Sequence, residues 1–442
     1  MTRCLSIFLL LAAAVLAGEP MAGYLMGYFT ETPKGTGNSF ALHLATSEDG
    51  LDWMPLNQNK PVLVPTLGTR SLRDPFFLRK QDGGFVVLAT DPAGQDNVSR
   101  QAIHVWDTAD FFSFTNPRLL KLHDTLMSTL APEATFDPDR KQYAVIWTGG
   151  VGTNRIHVNY TSDFTRVSGE EAYFDPGYDV RDATVFPEPE HGGYFLYYKD
   201  SVANRLRGIR SPALTPRGFD GGTALNPPGE FITGAPLILK SLRENRWFLY
   251  GESNGLCAWQ CTDIAKGDWQ EINRRDYNPP PNAKHATAIP ISRSELDRIV
   301  GRWGRPIGNR LKPWNFPGYF VRHEESICKI SAWPFDPWQD SQWRIVPGLA
   351  DAKAVSFESI NLPGHYLRTV AEHVVIAIDD GSKLFKNRAT FVKEPGLADR
   401  SWSSFRSRSS PDLYLRHANF YLRLEPAKST ADKEDSTFRI VF

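Results

Sequence analysis

The sequence predicts an all-β protein, a five-bladed β-propeller followed by a β-trefoil, and three observations carry that reading. Strand-like runs such as Phe85-Val86-Val87-Leu88, Tyr194-Phe195-Leu196-Tyr197-Tyr198 and Trp247-Phe248-Leu249-Tyr250 recur along the chain, dense in the β-branched and aromatic residues that strands favour. Helical periodicity is confined to one short candidate over residues 294–303, too little for a mixed fold. Two repeat systems of different period divide the chain, and a fixed period determines an architecture.

The first system opens with Arg73-Asp74-Pro75-Phe76-Phe77 and returns as Ala131-Pro132-Glu133-Ala134-Thr135-Phe136, Arg181-Asp182-Ala183-Thr184-Val185-Phe186, Gly234-Ala235-Pro236-Leu237-Ile238 and His285-Ala286-Thr287-Ala288-Ile289. Their spacing of about fifty to sixty residues suits one four-stranded blade each. A closing segment follows each of the first four openings, over residues 106–114, 160–165, 210–219 and 260–269, and a fifth lies ahead of all the openings at 45–53. The fifth blade is therefore expected to draw on both ends of a propeller spanning residues 22–303, which removes free sheet edges.

The second system has a period of roughly 45 residues and begins three times: Asn315-Phe316-Pro317-Gly318-Tyr319-Phe320-Val321-Arg322-His323, Asn361-Leu362-Pro363-Gly364-His365-Tyr366-Leu367-Arg368-Thr369, and Ser410-Pro411-Asp412-Leu413-Tyr414-Leu415-Arg416-His417. Each copy ends on a strand, at 342–346, 389–393 and 437–441. Three such copies over residues 310–442 predict a trefoil.

Composition excludes several functions. Fifty basic and fifty acidic residues cancel, which leaves no field for nucleic acid or an anionic membrane. Residues 1–18 combine Arg3, an apolar run from Leu5 and a small-residue end, the pattern of a secretory signal. A soluble, secreted, extracellular monomer acting on a neutral ligand is expected. Cys257, Cys261 and Cys328 remain after the signal, with a small Cys257–Cys261 disulfide and free thiols both open. No metal spacing occurs among cysteines and histidines, so neither metal nor cofactor is expected. Asn97-Val98-Ser99 and Asn159-Tyr160-Thr161 fit the glycosylation pattern, a short match that often arises by chance.

The run 357–368, with Asp380-Gly381-Ser382, Ala389-Thr390-Phe391 and Pro395-Gly396-Leu397, resembles the arabinofuranosidase B-type binding module, which takes arabinofuranose side chains in small polar pockets. The resemblance covers the whole last third. It implies one sugar pocket from His323 and Asp340 with Tyr319, and another from His417 and Asp435 with Tyr414. The second copy has Thr369 and Arg388 at the histidine and aspartate positions, which implies a lobe without a clamp for sugar hydroxyls.

Arg73-Asp74-Pro75, Ala131-Pro132-Glu133, Arg181-Asp182-Ala183 and Lys284-His285-Ala286-Thr287 give the first part a resemblance to the propeller of glycoside hydrolase family forty-three. That family inverts at the sugar carbon, with one carboxylate activating water and a carboxylic acid protonating the leaving oxygen. The resemblance implies Asp74 as general base, Asp182 as the carboxyl that tunes the acid, and His285 near the axis at the substrate. The acid itself departs from the pattern, because the family's Glu-Ala-Pro reads Gly234-Ala235-Pro236 here. Glu230, Glu252 and Glu133 are the substitutes, Glu252 first because it closes the second strand of the same blade. Leu130 replaces a tryptophan platform. The implied function is a secreted α-L-arabinofuranosidase removing arabinose from arabinoxylan or arabinan while the trefoil holds the polymer. The alternative is a non-catalytic arabinan-binding protein that has lost its acid.

Overall fold

A computed structural model of the chain describes residues 19–31, 39–92, 100–229, 234–253 and 255–442. The signal segment 1–18, the Asn97 pattern and Glu230 lie outside the described residues.

Five four-stranded antiparallel sheets follow one another. Their innermost strands are Arg73–Arg79, Leu130–Asp137, Val180–Glu188, Gly234–Lys240 and Lys284–Ser292, and each packs against the next until the last meets the first. This is the five-bladed propeller. In the fifth blade the inner strand Lys284–Ser292 pairs with Met21–Phe29, which leads outward to His43–Ser47 and Met54–Pro55. The amino-terminal part thus supplies three strands of that blade, as the displaced closing segment predicts.

Apolar residues on both faces of each sheet explain why the blades stack. Five separate clusters form, one between every pair of neighbours, for instance Tyr24, Trp53, Phe248 and Tyr250 between the fourth and fifth blades. A second seals the ring between the fifth and first through Leu25, Leu44, Phe77 and Phe85. Fully burying such a side chain contributes about 1.5–3 kcal/mol, so the ring is held by five comparable seams. At the closing seam Gly27 faces the ring of Phe77, and a Cβ there would lie 2.3 Å from it. Gly27→Val is expected to destabilise the protein by about 1–3 kcal/mol through overpacking, read as a lower midpoint in thermal or urea unfolding.

The predicted helix spans Arg293–Trp303 and starts at Ser292, whose hydroxyl accepts from the Glu295 amide while Glu295 reaches back to the Ser292 amide. This reciprocal cap satisfies two otherwise orphaned donors. The helix buries Leu296 and Ile299 in the closing seam.

The remaining twelve strands form one closed barrel of three lobes. First and fourth strands of each lobe make the wall: Arg310–Pro313 and Trp343–Pro347, Val355–Ser359 and Phe391–Pro395, Ser403–Ser407 and Phe438–Val441. A bridge between Asn309 and Trp343 closes it. Three hairpins, Tyr319–Glu324 with Ile327–Ala332, His365–Val370 with His373–Ile378, and Tyr414–Ala418 with Tyr421–Glu425, meet one another across the end. Leu311, Val321 and Trp343 fill the core from the first lobe, with Phe357, Leu367 and Phe391 from the second and Phe405, Leu415 and Phe438 from the third. The same positions of the repeat therefore build one shared interior. Lys312 Nζ donates to the Arg274 and Tyr277 carbonyls, and Arg439 bonds Asp52, tying barrel to propeller.

Two open readings are settled by position. Cys257 and Cys261 are free and share the strand Leu256–Cys261; four residues of strand separate them by about 13 Å, beyond a disulfide's reach. Asn159 is fully buried, with its amide bonded to the Leu122 and Ser168 carbonyls, so it offers no surface for a glycan.

Candidate active site

The five inner strands share a local irregularity that creates the site. Each carries a register shift near its start, and the residue there has a left-handed backbone: Asp74 (φ 49°), Ala131 (47°), Asp182 (52°), Ala235 (57°) and His285 (35°). A bulge re-aims a side chain out of the ladder, and such strain in non-glycine residues collects at functional positions. Fivefold repetition turns five such side chains toward the axis. Three are chemically active, Asp74, Asp182 and His285, and two are alanines.

At four of the five bulges the amide leaves the ladder and the preceding blade supplies the acceptor. Ala131 N–H donates to Thr90 Oγ1 at 2.8 Å, Asp182 N–H to Thr148 Oγ1 at 2.9 Å, Ala235 N–H to Asp182 Oδ2 at 3.2 Å, and His285 N–H to Glu252 Oε2 at 3.3 Å. The blades are thereby linked at the site itself.

Asp74 and His285 form its centre. Their Oδ1 and Nδ1 atoms are 3.0 Å apart, and Thr90 donates to Asp74 Oδ2 at 2.7 Å. Burial pushes the Asp74 carboxyl up, but His285 and the Thr90 hydroxyl outweigh it and hold the group below its ordinary range. Burial likewise opposes a charged His285, yet Asp74, joined by Asp182, lifts the imidazole to about 9. At neutral pH the centre is a carboxylate beside an imidazolium. Asp182 goes the other way: burial, with the Asp74 charge, raises it against the pull of His285. The two carboxyls are thus pushed apart, one held toward its ionised form and the other drawn toward its protonated one.

Gly234 is where the resemblance expects the acid. Its φ of 144° disfavours other residues, and a Cβ there would meet Asp182 Oδ2 at 2.1 Å. The position is thus filled by its neighbour's carboxylate. Glu252 stands opposite Gly234 in the ladder, with Oε1 2.8 Å from Lys284 Nζ and Oε2 on the His285 amide. It occupies the strand position that Thr90 and Thr148 hold in their blades.

Glu133 lies one step deeper, in an axial channel of about 430 Å³ lined also by Phe76, Thr184, Leu237 and Thr287. Burial raises its carboxyl to about 8, against bonds from Thr184 and the Val185 amide. The strand-opening repeat shows it in sequence, since it is the third residue of Ala131-Pro132-Glu133.

In the barrel the structure brings the predicted pairs together and adds a member to each. His323 Nε2 lies 3.0 Å from Asn361 Oδ1 and 3.7 Å from Asp340 Oδ1, while Asn361 Nδ2 donates to Asp340 at 2.8 Å. His417 Nε2 lies 2.8 Å from Asn315 Oδ1 and 3.6 Å from Asp435, with Asn315 donating to Asp435 at 2.7 Å. Burial holds His417 low against the nearby Asp435 charge. Each pocket therefore borrows the asparagine of the following lobe. The signal was legible, because Asn315 and Asn361 open their repeats while the copy completing the second lobe opens with Ser410. A short helical turn before each last strand, at Trp338–Ser341, Lys383–Arg388 and Thr430–Asp435, carries Asp340, Arg388 and Asp435. The second lobe lacks all three polar members.

The two tyrosines are not equivalent. Tyr319 reaches the third-lobe pocket, its ring 5.3 Å from Phe316, which contacts the His417 ring at 5.2 Å. Tyr414 sits one strand position out of phase with His417, so the two face opposite sides, and its hydroxyl bonds Glu394 at 3.1 Å.

A five-bladed ring with carboxyls on its axis, joined to a three-lobed barrel with paired polar pockets, is a glycosidase-type propeller with an appended carbohydrate-module barrel. Residues 19–297 match the family model related to glycoside hydrolase family 43 and described as "Probable glycosyl hydrolase domain", and the chain belongs to that family; residues 309–440 match the "Alpha-L-arabinofuranosidase B (ABFB) domain". An "Extracellular exo-alpha-(1->5)-L-arabinofuranosidase" of Streptomyces avermitilis is 37% identical over 281 residues, covering 59% of this chain and 54% of the relative. An "Alpha-L-arabinofuranosidase" of Hypocrea jecorina is 41% identical over 81 residues, 18% of this chain and 16% of the relative. The chain thus spans about half the length of the first and far less of the second. A solved thermostable family-43 glycoside hydrolase overlaps 62% of this chain and 98% of its own at 13% identity and a TM-score of 0.38.

Proposed function

We propose that this chain is a secreted, monomeric α-L-arabinofuranosidase that inverts configuration as it removes arabinose from arabinoxylan or arabinan, held on the polymer by the first and third lobes of its barrel. The observation that carries the reading is the axial centre, where His285 keeps Asp74 ionised while Asp182 is raised beside it. Asp74 is then the base that takes a proton from the attacking water. Asp182 tunes the donor and orients it, and His285 faces the sugar while fixing Asp74. Glu252 is the donor on this reading, reaching the leaving oxygen from the fourth blade. The name printed for the Streptomyces relative supports export and an exo-acting arabinosidase.

A specific observation favours a second reading, a protein that binds arabinose-bearing polymers without cleaving them. Glu252 is already held by Lys284 and by the His285 amide, the duty threonines perform in two other blades. One assay separates the two. Purified protein is offered arabinan, arabinoxylan and nitrophenyl arabinofuranoside, beside Glu252→Gln, with the product anomer followed by NMR. Hydrolysis giving the inverted sugar, lowered about 10²- to 10⁴-fold on the two polymers in the variant as for a lost general acid, supports the enzyme. Intact polymer binding without turnover establishes the second reading instead.

The barrel is tested apart from the chemistry. His323→Ala combined with His417→Ala is expected to abolish arabinoxylan retention in affinity electrophoresis while hydrolysis of the small nitrophenyl substrate persists. Retention equal to the parent's would remove the lobe assignment.

A further inference from the structure

The hairpin turns of the three lobes contrast most at their second residue, which is Ser326, Glu372 or Phe420. The first turns on Glu325 (φ 48°) and Ser326 (71°), the second on Ala371 (53°), and the third on Asn419 (50°) and Phe420 (68°). A left-handed backbone disfavours a bulky side chain by about 1–2 kcal/mol, and polar or small residues are the usual solution. Phe420 keeps that conformation and is also 47% exposed, so neither turn geometry nor core packing accounts for a phenylalanine there.

Its surroundings do. The Phe420 ring lies parallel to Tyr319 at 5.7 Å and 19°, and edge-on to Phe316 at 5.6 Å. Phe316 follows Asn315, the residue that joins His417 to Asp435. The stacked pair therefore flanks the third-lobe pocket. The first-lobe pocket has Leu362, His365 and Ser326 at the corresponding repeat positions, with no aromatic pair. Among the described residues the Tyr319 hydroxyl has no hydrogen-bond partner, so it is open to a ligand.

Resting on the arabinose-binding reading of the barrel, we infer that Tyr319 and Phe420 form a platform beside the His417–Asn315–Asp435 pocket that receives the sugar to which the bound arabinose is attached, and that this sugar is a xylopyranose of a xylan backbone. The pocket's polar triad suits the hydroxyl-rich arabinose. Beyond it, a flat aromatic face matches a ring that presents C–H groups on its sides, as a xylopyranose with equatorial hydroxyls does and a puckered furanose does less well. The first lobe then takes arabinose irrespective of what carries it, and the third reads the junction.

The test uses the full chain carrying His323→Ala, which leaves the third pocket alone, and calorimetric titration with free arabinose, an arabinose-substituted xylotriose and an arabino-oligosaccharide. Phe420→Gly is expected to weaken the xylotriose ligand about 3- to 10-fold, the range of an aromatic stack, and to change free arabinose less than twofold. Its thermal midpoint should stay level or rise, because glycine relieves the turn. Phe420→Tyr should restore the xylotriose affinity. Undiminished xylotriose binding in Phe420→Gly, or an equal loss on all three ligands, overturns the platform. Absence of every ligand's binding in the His323→Ala parent overturns the third-lobe pocket itself, and with it the platform.

Discussion

Asp74→Asn is expected to lower turnover on nitrophenyl arabinofuranoside by about 10²- to 10⁴-fold, with polymer binding by the barrel unchanged. The amide keeps the shape of the carboxylate and the bond from Thr90, but cannot take a proton from water. The substitution also removes the charge that chiefly sustains His285. In the parent, activity should rise with pH through a midpoint below the ordinary aspartate range, because His285 and Thr90 hold Asp74 down. It should fall again by about pH 9 at the latest, where His285 loses its proton. Removing the Asp74 charge lets the histidine titrate earlier, so whatever activity remains should show its alkaline limb at lower pH. Rates across pH 4–10, with the His285 carbon shift followed by NMR, check both effects. A residual rate with an unmoved alkaline limb would show that His285 titrates independently of Asp74.

The architecture was legible because repetition is a property of the chain. Five openings that carry Asp74, Ala131, Asp182, Ala235 and His285 as their first or second residue could be aligned before any geometry was known, and they do become five equivalent bulges. Even the split fifth blade followed from the closing segment at 45–53. What the repeat concealed was the meaning of its departures. Gly234 reads in sequence as a lost acid, whereas in space it is the one residue that leaves room for Asp182 Oδ2. Glu252 reads as a substitute donor, yet it accepts the next blade's amide like Thr90 and Thr148, a relation between strands that are neighbours only in the ring. In the barrel, Asn315 and Asn361 were visible at the head of the first two copies, but their partners are histidines of another lobe. Phase also mattered: Tyr319 and Tyr414 look alike in their copies, and an offset of one strand position sends Tyr414 to Glu394. Local periodicity reports which face a residue takes; it does not report which neighbour waits there.

Glu133→Gln is expected to flatten the alkaline side of the stability curve. The carboxyl sits in the axial channel among Phe76, Thr184 and Leu237, where burial lifts it from 4.5 to about 8. A carboxyl raised on folding binds its proton more tightly in the native state, so its contribution is full below pH 4.5 and is lost as pH climbs through 8. At about 1.36 kcal/mol per unit, a shift of this size corresponds to roughly 3–5 kcal/mol across that window. His285, raised to about 9, adds a loss of the same sign that begins near pH 6.5 and ends near 9. The parent should therefore lose unfolding free energy steadily from pH 5 to 9. Glutamine is close in shape to the protonated acid and keeps an acceptor for Thr184 and the Val185 amide. Glu133→Gln should accordingly match the parent at pH 5 and exceed it at pH 8.5, leaving the parts due to His285 and to the raised Asp182. Urea unfolding at intervals of one pH unit measures this directly. Parallel curves for the two proteins would mean that Glu133 is already ionised in the folded channel, with a cation or water sharing its charge.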